Sequence, residues 1–110
     1  MATDWRKIID NLPNEIPDAA KTEAKNFIEQ LLTNTDDFTK RQGQKITMYL
    51  SEYASGELTA ADLNECMKDV ALVTDSYAQM QSVATKQKLK AVALSVSSVL
   101  IKEVLEPLQK

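Results

Sequence analysis

Two apolar series meet across a short interval of this chain, and the residues of that interval dictate how the flanking helices are arranged. Ile46, Tyr49, Leu50 and Tyr53 repeat at helical spacing, and Gly56 follows where a helix closing in the left-handed conformation places glycine. Thr59 then stands as an N-cap, with Asp62 as its N3 partner in a carboxylate variant of the capping box. Leu58 and Leu63 occupy the N′ and N4 places of a hydrophobic staple. With Glu57 and Leu58 alone between glycine and cap, the connection suits an antiparallel helical hairpin, with a sharp corner as the other form. The hairpin is the expected arrangement, with its turn at 56–59.

The rest of the composition agrees with helix. Two glycines and three prolines interrupt 110 residues, 44% of the residues are apolar, and good helix formers fill most windows. One all-α domain over 1–110 is expected. A formal charge of −3, with acids and bases interleaved, leaves no electrostatic footprint for nucleic acid or for an anionic membrane. The single cysteine, Cys66, fits a reducing compartment, and residues 1–10 lack the pattern of a signal peptide, so a cytoplasmic location is expected. The apolar run 91–101 holds three serines and is too short for a transmembrane segment.

Trp5, Ile8, Ile9 and Leu12 form one face of a short helix over about 4–12, capped by Thr3 or Asp4 and ended by Pro13. From Ala20 a stripe runs through Ala24, Phe27, Leu31, Thr35, Phe38, Gln42, Ile46 and Tyr49 without losing phase. Thr33 to Asp37 carries cap-like residues and offers a break, but the unbroken phase predicts one long helix over about 18–55, roughly 55 Å at 1.5 Å per residue, with Gly43 as a soft point. After the turn, Leu63, Cys66, Met67, Val70, Val73, Tyr77, Met80 and Ala84 form a seam close to a 3.5 repeat. The phase then shifts to Leu89, Val92, Ala93, Val96, Val99, Leu100 and Val104. Lysines at 86 and 88 are unwelcome in a first helical turn, and no Gly or Pro falls between Glu57 and Pro107. One helix over about 60–106, continuous or kinked near 82–88, is therefore expected. In such a hairpin Lys40 lies level with Asp75, Lys45 with Asp69, and Glu29 with Lys86.

No catalytic, cofactor-binding or metal-ligating residue is nominated. The chain has no histidine, which removes the commonest general base and the commonest transition-metal ligand. Cys66 sits within an apolar series and reads as a small core residue. Asp62, Glu65 and Asp69 share a helical face beside Lys68 and read as a solvated surface rather than a cation site. Lys86, Lys88 and Lys90 fan around their helix rather than forming a stripe.

The stretch 89–105 is different. At α-helical spacing its apolar side chains nearly encircle the helix, and a helix apolar on most sides requires more than one neighbour. Two slender rods supply only one. The Trp5 helix can cover one side, which leaves simple core as the alternative; Leu89, Val92, Val96, Val99, Leu100 and Val104 are the expected oligomer interface, completing a helical bundle by self-association as a dimer. Trp5, Ile8, Leu12-Pro13, then Gly56-Glu57-Leu58-Thr59 with Leu63 and an aliphatic C-terminal helix, resemble a group of small bacterial, sometimes phage-borne, helical proteins of unassigned function. The resemblance implies a helical fold and supplies no activity. The expected function is a non-enzymatic, self-associating interaction module. The alternative is a binding module that offers an apolar groove or amphipathic face to a lipid, an amphipathic peptide or a membrane surface.

Overall fold

The computed structural model describes residues 4–109, and every regular element in that span is helical. The chain runs α1 (Trp5–Asp10), α2 (Asp18–Leu32), α3 (Asp37–Ala54), α4 (Ala60–Ala78), α5 (Val83–Ser95), a π-helical segment (Val96–Leu105) and a last turn, α6 (Glu106–Leu108). Local chemistry is clearest between α3 and α4. Gly56 takes φ +88°, its N–H donates to Tyr53 O, and the N–H of Glu57 donates to Glu52 O. These two bonds close α3 in a Schellman motif. The Thr59 hydroxyl accepts from Asp62 N–H at 3.1 Å and the Asp62 carboxylate accepts from Thr59 N–H at 3.1 Å, so both arms of the capping box are made. Leu63 is fully buried just beyond it, and Leu58 is half-buried. At the other end of the pair Phe38 stacks on Tyr77 with ring centroids 3.8 Å apart, so α3 and α4 run antiparallel.

The single helix expected over 18–55 does not form. Asn34 Oδ1 accepts from Asp36 N–H at 2.8 Å, and the Asp36 carboxylate accepts from the N–H and hydroxyl of Thr39 at 3.0 and 2.9 Å. Side chains of this type offer the backbone partners that a helix interior does not, and here they start a new helix instead. The apolar stripe keeps its phase because α2 and α3 face one core, not because they are one helix. The longest dimension of the molecule is 41 Å, shorter than the rod of roughly 55 Å that an unbroken helix would make.

Gly43 marks the place where α3 crosses the last turn of α2. A Cβ added there would lie 2.9 Å from Leu31 Cβ and 3.2 Å from the Leu32 backbone nitrogen. Gly43→Ala gains about 1 kcal/mol of helix propensity, but neither of those atoms is the free end of a flexible side chain, so the helices must part. The expected net effect is a loss of about 1–2 kcal/mol. Urea unfolding checks it, as a lower midpoint with the slope unchanged.

The helix expected over 60–106 also divides, and the division is a full reversal rather than a kink. α4 stops at Ala78, residues 79–82 turn the chain, and α5 starts at Val83 after Ser82. Lys86 and Lys88 do not oppose that start. The first turn is Val83, Ala84 and Thr85, and both lysines lie past the reach of the N-terminal dipole. α5 and the π-helical segment then pack back against α4.

The π-helical segment resolves why 89–105 looks greasy all round. Its hydrogen bonds close one residue later than those of an α-helix, from i to i+5, so each turn is wider. Val96, Leu100, Ile101, Val104 and Leu105 fall at i, i+4, i+5, i+8 and i+9, gather on one side of that wider turn, and are buried. Ser97, Ser98, Lys102 and Glu103 repeat with the same period on the other side and are exposed.

The N-terminal arm closes the bundle. Asp4 caps α1 by accepting from Arg6 N–H at 3.0 Å; Thr3, the other candidate cap, lies outside the described residues. α1 ends at Asp10, ahead of Pro13. Trp5, Ile8 and Ile9 face inward, and the nearly buried Lys21 donates its ammonium to Leu12 O at 2.8 Å, fixing the following loop onto α2. Lys25 pairs with Asp10 at 2.6 Å, and Arg6 pairs with Glu29. None of the cross-hairpin pairs expected from the sequence forms among the described residues. Breaking the rods brings α1 alongside α2, so Glu29 meets Arg6 instead of Lys86.

Candidate interaction surface

The residues nominated as an oligomer interface lie inside their own chain. Leu89, Val96, Val99, Leu100 and Val104 are all less than a tenth exposed, and Val92 is half-buried. α2 and α4 wrap the π-helical segment, so the argument for a companion along 89–105 is overturned. The chain is not too thin to cover that stretch, because its two expected rods fold into four helices.

The cavity at the centre of the described residues is small. Ile9, Ile28, Ile46, Met67, Leu100 and Val104 line a cavity of about 10 Å³. That holds about one water-sized probe, against the ~300 Å³ and upward of a small-molecule site.

Apolar surface remains on the outside of α4 and α5. Leu72 is 64% exposed, Met80 76%, Val83 72% and Leu94 69%. Leu72, Ser76 and Met80 fall at i, i+4 and i+8; Val83, Gln87, Lys90 and Leu94 fall at i, i+4, i+7 and i+11. Leu72 and Ser76 share a face of α4, Met80 follows in the turn just past its end, the second set lies on one face of α5, and every one of these residues is exposed. The reversal at 79–82 is what turns Met80 to solvent, away from the seam in which the sequence places it. Between the two helices runs an open groove of about 440 Å³. Ala71 and the buried Ala93 lie at its base; Leu72 and Asp75 stand on the α4 side, Lys90 and Leu94 on the α5 side. Neither Asp75 nor Lys90 is in an ion pair among the described residues.

The thiol of the single cysteine lies in a half-buried, acidic setting. Cys66 is half-buried rather than in the core, and burial, followed by the charges of Glu52, Asp62, Asp69 and Glu65, pushes its thiol pKa up. A thiol held protonated is a poor nucleophile. Burial likewise raises the neighbouring Tyr49, with Cys66, Asp69 and Glu52 adding to the shift. Among the described residues no three His, Cys, Asp or Glu side chains converge as metal ligands. No described helix is long and apolar enough to cross a membrane.

One carboxylate pair lies side by side on the surface. Glu103 on the π-helical segment faces Glu23 on α2; the hydrogen bond between their carboxyls raises the Glu103 pKa, desolvation and the like charge add to this, and Lys102 opposes it. A carboxyl raised in the folded state contributes stability below its ordinary value of 4.5, and that contribution is lost as pH rises through the folded value. Glu103→Gln is therefore expected to melt slightly above wild type at neutral pH, with the gap closing as pH falls below 4.5. Thermal melts across that range check the sign.

No protein-family model, curated protein or solved structure matches this chain. The geometry of the chain alone therefore carries the functional reading. Leu72 and Val83 are missing from the sequence-based candidates because they stand off the periodic stripes. Their isolation from those stripes is the signal that marks them as outward-facing.

Proposed function

We propose that this chain is a non-enzymatic helical interaction module that pairs with a second copy of itself through the outer face of α4 and α5. The observation that carries this is that four of the five large exposed apolar side chains belong to one helical pair and its turn, Leu72 and Leu94 lining the groove, and Met80 and Val83 at the turn. Scattered exposed leucines need no explanation, but two leucines facing one another across a groove that also carries Asp75 and Lys90 mark a contact surface. A second copy suits the groove because protruding leucines and an alanine base belong to the same surface, which makes it self-complementary.

Analytical ultracentrifugation tests the reading. The wild-type chain is expected to sediment as a dimer at tens of micromolar, and Leu72→Glu and Leu94→Glu as monomers of unchanged helicity. A wild-type monomer that binds phospholipid vesicles through this face, or a dimer indifferent to both substitutions, overturns it.

A further inference from the structure

We infer that Asp75 and Lys90 fix how the two copies meet, which rests on the self-association just proposed. Asp75 stands on the α4 side of the groove and Lys90 on the α5 side, and neither has an ion-pair partner within the described residues of its own chain. A two-fold axis running along the groove lays α4 of one copy over α5 of the other. Each Asp75 then faces the Lys90 of the opposite copy, and the contact is made twice. A two-fold axis running across the groove instead lays α4 over α4 and α5 over α5, so that no Asp75 meets a Lys90.

The same arrangement accounts for the rest of the face. An axis along the groove leaves both α4–α5 turns pointing the same way, so Met80 and Val83 of the two copies come together at one end. Leu72 of each copy comes over Leu94 of the other, beside Ala71 and Ala93. Because α4 and α5 are antiparallel neighbours, the four helices form an antiparallel bundle. The charges set orientation and exclude wrong registers more than they add affinity.

The test is a charge exchange. Asp75→Lys puts two Lys–Lys contacts in its homodimer, and Lys90→Asp puts two Asp–Asp contacts in its own. Each variant alone is expected to dimerise about tenfold more weakly than wild type or worse. Mixed in equal amounts they restore both opposite-charge contacts, and a heterodimer is expected to form with affinity near that of wild type. Lys90 is exposed and Asp75 half-buried on the wall of an open groove, and circular dichroism of each variant verifies that the fold is kept. If the mixture stays monomeric, or either variant dimerises like wild type, the charge-set orientation is overturned. The Leu72→Glu result then still decides, by itself, whether the face is used at all.

Discussion

Ile46→Ala is expected to cost about 3–4 kcal/mol of folding stability, a large part of the ~5–15 kcal/mol that a domain of this size holds. Ile46 is fully buried where α2, α3, α4 and the π-helical segment converge, against Ile28, Met67, Leu100 and Val104. Removing its outer carbons deletes their transfer free energy and leaves a cavity that four helices cannot collapse around. The site already holds a void of about 10 Å³, so neighbouring side chains have not closed what space there is. Chemical denaturation gives the loss directly. A change under 1 kcal/mol would mean that this point is not the centre of the core.

The second large effect distinguishes a π-helix from an α-helix at the C-terminal segment. Ile101→Ala is expected to cost about 2–4 kcal/mol, and Glu103→Ala to cost nothing. An α-helix with Val96, Val99 and Leu100 turned inward would bring Glu103 to the same side, at i+7, i+4 and i+3, and would turn Ile101 away. In the wider helix Ile101 is buried and Glu103 is exposed. The ratio of the two losses therefore reports the hydrogen-bond pattern of the backbone, and comparable losses would rule out the π-helical geometry.

Where a structure depends on neighbours in the chain, the sequence states it well. Gly56, Thr59 and Asp62 place a chain reversal to the residue because each meets a backbone group within a few positions. Trp5, Ile8 and Ile9 mark the short first helix for a related reason: one apolar face at one spacing. The two missed breaks have different causes. At 33–36 the apolar phase continues because both helices serve one core, so periodicity cannot report the turn, although Asn34 and Asp36 carry its chemistry. At 79–82 there is neither glycine nor proline, and Ser82 before Val83 is the one cap-type residue at the start of α5, which packs back on α4.

The interface assignment failed through the choice of period. Read at α-helical spacing, 96–105 has no polar side; read at the spacing of its own hydrogen bonds, Ser97-Ser98 and Lys102-Glu103 align as one. That repeat of five is visible in the residues themselves. The face that replaced it, around Leu72 and Leu94, depends on which sides of α4 and α5 remain uncovered after the chain has turned back on itself, and that is a property of the finished fold.

The uncovered face lies between residues 71 and 97, on two helices joined by four residues. The buried centre, by contrast, joins Ile9 to Leu105 across nearly the whole chain. Contacts between close segments ask little loop-closure entropy, and contacts between the termini ask more. Truncation or fraying at either terminus therefore strikes the interior first, and leaves the outer surface of this local hairpin as the part of the molecule least dependent on distant sequence.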